Sequence, residues 1–91
     1  MFALQVENIR RDAAWEIRVG ASKAEVGRFF EQHNIPFEFL ETEAYGSLQT
    51  VGCAPFGCGT DRAFISVDVK LDATGTVTEA TRVVGMYQDC L

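Results

Sequence analysis

No apolar run in this chain approaches the roughly 18 to 20 residues that a helix needs to cross a bilayer, so no membrane span is expected. The first twenty residues mix charged with apolar side chains too often to form the apolar segment of a signal peptide. Placement outside the cytoplasm then requires that a signal or lipobox has been removed; otherwise the chain is cytoplasmic. Basic residues are scarce too, with 8 Lys and Arg against 13 Asp and Glu and a net charge of -5. That balance opposes binding that depends on neutralising many phosphates, and nucleic acid is not an expected partner. The glycines at 52, 57 and 59 lack the Gly-Lys-Ser/Thr ending and the following helix of a phosphate loop. No C-x-x-C pair occurs, which removes support for thioredoxin chemistry.

What remains is a small acidic chain of 91 residues, 47% hydrophobic and 23% charged, a composition suited to one folded domain and too short for two independent cores. Its three cysteines are too few for a disulfide scaffold, and the odd count leaves at least one thiol free or paired between chains. Cys53 and Cys58 form the local pair. Gly52, Pro55, Gly57 and Gly59 favour a turn that brings them to bridging distance, so a disulfide and two free thiols both stay open. A zinc site would have to recruit Cys90 and His33 without the ligand spacing of fingers or ribbons; neither a metal nor another cofactor is expected.

The clearest element is a helix over residues 22–33. Ser22 and Glu25 have the spacing of a capping box, and Val26, Phe29, Phe30 and His33 form one apolar stripe. Asn34 suits a left-handed cap, Ile35 clamps behind it, and Pro36 forbids continuation. Gly27 costs about 1 kcal/mol against Ala inside a helix, which points to close approach by a neighbour. In the last third, Ile65, Val67, Val69 and Leu71 alternate with polar residues, and Asp72 to Gly75 suits a type I turn with Gly75 left-handed. Counting outward sets Leu71 against Val77, Val67 against Thr81 and Ile65 against Val83. It also sets Val69 against Glu79, so either Glu79 lies at a wet edge or a bulge shifts the strand. The opposite face is polar apart from Phe64, Val84 and Met86 at one end.

Residues 36–42 and 47–53 are shorter strand candidates, with Tyr45-Gly46 between them. The N-terminus is ambiguous: Phe2, Leu4 and Val6 alternate like a strand, as do Trp15, Ile17 and Val19, yet Asp12 could cap a helical turn. A helix followed by consecutive strands implies an α+β domain. One or two short helices pack on one face of an antiparallel sheet of three to four strands, leaving the other face for recognition.

The stretch from Ile17 to Val26, the short helix closed by Pro36, and the Leu71-Asp72-x-x-Gly75-x-Val77 hairpin resemble the SmpA/OmlA outer-membrane-assembly lipoproteins and the β-lactamase-inhibitor-protein-like (BLIP-like) domains. Those families place Gly-Met-Ser/Thr before a helix that carries Val four residues after the Ser/Thr. Gly20, Ser22 and Val26 fit, Ala21 replaces the usual Met, and Asn34 stands where Gly is more common. The match is close over about ten residues and loose over about 70, so it carries fold further than function. It implies an extracytoplasmic binding or inhibitor module with no catalytic residues.

His33, the single histidine, suits the end of its helix as a packed residue. A small enzyme using His33 with Cys53 or Cys58 would need a third, orienting group and a cleft, and a carboxylate pair drawn from Glu38, Glu41 and Glu43 fits an exposed strand face better than a dyad. Catalysis is therefore not expected. A protein-binding module is, with Pro55 and Phe56 presented at a protruding loop between Cys53 and Cys58. The alternative is a cytoplasmic inhibitor, an immunity or phage-encoded antagonist, whose acidic surface blocks a basic target.

Overall fold

The structure, a computed structural model, describes residues 2–51 and 62–87. Two helices, α1 (Phe2–Glu16) and α2 (Lys23–Gln32), precede four strands: β1 (Phe37–Phe39), β2 (Glu43–Val51), β3 (Arg62–Lys70) and β4 (Arg82–Tyr87). The strands form one antiparallel meander in chain order. Alternate strand residues Ala44, Ile65, Val67, Val69 and Val83 are buried in one core with Val6, Ile9 and Ala13 of α1 and Val26, Phe29 and Phe30 of α2. The domain is thus the expected α+β layer. Among the described residues no helix is long and apolar enough to cross a membrane.

Local chemistry sets both ends of α2. Ser22 Oγ accepts from the Glu25 backbone at 3.2 Å, and the Glu25 carboxylate accepts from the Ser22 backbone at 3.0 Å, completing the capping box. Those bonds to Ser22 hold the Glu25 carboxyl below its ordinary range. At the other end Asn34 is left-handed with φ 56°. Ile35 N–H donates to the Phe30 carbonyl at 2.9 Å and Asn34 N–H to Glu31 at 3.1 Å, the two bonds of a Schellman motif.

The N-terminal ambiguity resolves as a 15-residue helix, and the strand alternatives at Phe2 to Val6 and Trp15 to Val19 are corrected. Asp12 caps nothing; it sits inside α1. The stripe that decides is Val6, Ile9 and Ala13, continued by Ile17 beyond the helix, spaced at helical period and almost fully buried. The connection to α2 is pinned to the late hairpin, because Gly20 N–H donates to the Val77 carbonyl and Val77 N–H to the Ala21 carbonyl, each at 2.9 Å. Gly20 has φ 97°, open to glycine and costly for other residues.

The hairpin turn forms as read. Gly75 is left-handed, its N–H donates to the Asp72 carbonyl at 3.0 Å, and Leu71 faces Val77. Asp72 Oδ1 accepts from Thr74 Oγ1, Thr74 N–H and Thr76 N–H, and the Thr74 hydroxyl leads in holding this carboxyl below its ordinary range. Beyond the turn the register shifts. Thr78 N–H still donates to the Lys70 carbonyl at 3.0 Å, but residues 79–81 leave the ladder, so Val67 faces Val83 instead of Thr81, Ile65 faces Gly85 instead of Val83, and Asp68 faces Arg82 directly. Continued pairing would have put Glu79 against buried Val69. The excursion exposes Glu79 and gives Val67 an apolar partner, and a shift of two residues keeps every side chain on its own face.

The first hairpin also differs from expectation. Its turn lies at Leu40 to Thr42, and Tyr45 and Gly46 stand inside β2. Gly46 is there for packing. A β-carbon at this position would come within 2.5 Å of Phe30 Cε1 and 2.8 Å of Ile35 Cγ2. Phe37, the β1 partner of Gly46, stacks on Phe30 with ring centres 4.8 Å apart. Gly27 has no such need, since a β-carbon there meets Phe39 and Phe37 only at 3.9 and 4.0 Å, an ordinary contact.

Gly46→Ala should therefore lower stability by about 1–3 kcal/mol through overpacking, while Gly27→Ala should be neutral or stabilising. Combining Gly46→Ala with Phe30→Leu should cost less than the two changes added together, as read from denaturant melts. Additive losses would show that Phe30 is not what excludes a side chain from position 46.

Candidate functional site

Three surfaces carry chemistry among the described residues, and none contains a buried polar or charged side chain. The first joins the helices. His33 caps the C-terminus of α2, with its ring tilted against Phe29 at 4.7 Å between ring centres. Its Nε2 lies 3.3 Å from Asp12 Oδ2 on α1, and Glu16, one turn further along, brings a third donor. The three donor atoms all lie within 4.8 Å of one another, and all three side chains are half-buried. Asp12 Oδ1 faces Arg11 Nε at 3.8 Å. A shallow groove of about 530 Å³, lined in part by Gln5, Asn8, Asp12 and His33, opens beside the cluster. The expectation that His33 packs at its helix end holds. Its pairing with Asp12 was not legible, since the conformation of the segment around Asp12 was ambiguous in the sequence and the path from there to the helix over 22–33 was not fixed.

The second surface is the far end of α1. Trp15 is 74% exposed, and the Arg18 guanidinium lies 5.5 Å from its ring centre. Near the other end of α1, Leu4 lies off the buried stripe and is exposed as well.

The third is the sheet face that the helices leave open. Phe64 and Met86 face each other across β3 and β4, Val84 lies beside Ser66, and Tyr45 directs its hydroxyl to Ser66 Oγ at 3.4 Å. Phe64 and Val84 are half-buried, and Met86 and Tyr45 are each 42% exposed. Charged residues border them. Lys70 Nζ donates to Glu43 Oε2 at 2.6 Å and stands 3.7 Å from Asp68 Oδ2. Glu43 is therefore the partner of a lysine and not half of a carboxylate dyad with Glu38 or Glu41. The helical part of the chain, up to Ile35, holds as many basic as acidic residues, so the whole net charge of -5 falls on the strand-bearing part.

Cys53, Cys58 and Cys90, and with them the loop expected to present Pro55 and Phe56, lie outside the described residues. Set against family models, curated proteins and solved structures, the chain matches none.

The hydrogen bond from Lys70 to Glu43, helped by the charges of Asp68 and Glu43, holds the Lys70 ammonium above the ordinary lysine value of 10.5. A raised folded-state value means that the pair contributes stability below 10.5 and loses it as pH rises through the folded value. Glu43→Gln should bring the Lys70 titration, followed by NMR at the Lys70 side chain, back down toward 10.5. Its stability deficit relative to wild type should be present at neutral pH and vanish at strongly alkaline pH. An unchanged Lys70 titration would mean that the pair does not persist in solution.

Proposed function

We propose that this chain is a non-catalytic protein-binding module of the extracytoplasmic assembly or inhibitor type, and that it binds through its open sheet face. One observation carries the reading. A four-stranded sheet covered by helices on one side presents Phe64, Val84, Met86 and Tyr45 as neighbours on the other, inside a border of charged residues. An aromatic and aliphatic centre with a polar rim is the composition of a protein interface, where a few large side chains supply most of the affinity. Strands also suit this role, since they hold side chains in fixed rows that lose little freedom on binding. The resemblance to SmpA/OmlA and BLIP-like domains supports the same reading through Gly20, Ser22 and Val26, a left-handed residue, an N-cap and a buried helix position here. Pro55 and Phe56, in the segment between β2 and β3 that lies outside the described residues, stay a sequence-based part of this proposal.

The charge distribution favours a second reading within the same class, a cytoplasmic antagonist whose acidic strand-bearing half meets a basic target. Ionic strength separates the two. Capture led by the apolar centre should hold between 50 and 500 mM salt, roughly a threefold change in screening length, whereas capture led by charge should fall steeply.

Partner capture from the source cell, quantified by mass spectrometry, tests the proposal. Met86→Arg and Tyr45→Ala alter exposed side chains, so melting temperatures should stay within about 5 °C of wild type, near the shift for 1 kcal/mol in a domain this size. Capture should drop about tenfold or more. Capture that survives both changes with the fold intact would sink the sheet-face reading.

A further inference from the structure

We propose that Asp12, Glu16 and His33 form a divalent transition-metal site that clasps α1 to the end of α2. The argument is geometric. Donors bound to one ion at about 2.0–2.2 Å lie roughly 2.8–3.6 Å apart along an edge of an octahedron or tetrahedron. Asp12 Oδ2 and His33 Nε2 are 3.3 Å apart, so those two side chains already stand as neighbouring ligands. Asp12 and Glu16 are four residues apart on one helix and therefore share a face, as carboxylate ligands from a single helix must. Glu16 reaches the cluster within 4.8 Å and has no ion-pair partner among the described residues. Closing the last gap needs roughly 1 Å of movement at the end of its three-torsion side chain, within the reach of one rotamer change.

The surroundings suit a bound ion. The Schellman turn at Asn34 and the contact with Phe29 fix where the His33 ring points. Arg11 Nε stands 3.8 Å from Asp12 Oδ1, an exposed ion pair on the carboxylate oxygen that does not face His33, so Oδ2 remains available to an ion. Two carboxylates and a neutral imidazole balance a dication. The carboxylates would accept many divalent ions, and the imidazole nitrogen is the borderline donor that favours zinc and its neighbours over calcium or magnesium, which take oxygen-only sites. Three protein ligands leave a further coordination position toward the groove beside Gln5 and Asn8.

His33 is the single histidine, so its imidazole nitrogens give an unambiguous NMR signal that zinc held by Cys53, Cys58 or Cys90 would not mimic. Titration of the whole chain with Zn²⁺ alone should shift or broaden those resonances, saturating near one equivalent. Asp12→Asn and Glu16→Gln preserve shape at half-buried positions, and circular dichroism should show both folded. Each should weaken the zinc-dependent change at His33 by about tenfold or more. Imidazole resonances that stay unmoved in excess Zn²⁺ would overturn the proposal. So would an identical response in wild type and in the Asp12→Asn/Glu16→Gln double variant, which marks a surface histidine binding zinc alone.

Discussion

The ring of Phe30 lies directly on the backbone of Gly46, and much of the domain is arranged around that contact. It requires a glycine in the interior of β2, where glycine is otherwise unfavourable. In exchange an aromatic from α2 reaches the floor of the sheet, with Phe37 stacked on one side and Ile35 closing the other. Ile35 is also the residue whose N–H closes the Schellman turn onto the Phe30 carbonyl. The end of α2, the entry into β1 and the β1–β2 register are therefore one coupled unit, since displacing Phe30 would disturb all three. Burial of each such side chain is worth about 1.5–3 kcal/mol, and here that gain rests on a single absent methyl group.

The sequence made elements legible wherever the deciding chemistry lies within four residues. The capping box at Ser22 and Glu25, the left-handed Asn34 and the Asp72–Gly75 turn are local in this sense, and each formed as read. Helix α1 was ambiguous because its buried stripe is thin. Ala13 contributes little hydrophobic signal, while exposed Leu4 and Trp15 are apolar residues off the stripe and blur its period. Gly46 was read as a turn residue because turn chemistry is the local explanation for a glycine beside an aromatic. Its actual reason, Phe30, lies 16 residues away and becomes visible only once α2 has been laid on the sheet.

The register of β4 shows how a global constraint overrides a local one while respecting its period. The turn alone sets Val69 against Glu79, and burying that carboxylate without a partner would cost several kcal/mol. Releasing residues 79–81 from the ladder avoids that cost, and an even shift is the only kind that leaves Val83 on the core side. The same parity keeps Phe64, Val84 and Met86 together on the open face. That cluster was therefore readable from the sequence even though the pairing that creates it was not.

The helix junction had the opposite fate. Asp12 and Glu16 have meaning only as residues of one helix, and His33 joins them only through the angle at which α2 returns across α1. That angle is held from two directions: by Gly20 and Ala21, whose backbone groups pair with Val77 of the late hairpin, and by Phe30 on Gly46. The donor cluster at the surface is thus positioned by the core and the hairpin together. A change that loosens either anchor would separate His33 from Asp12 without touching the cluster itself, because neither helix alone fixes the 3.3 Å between them.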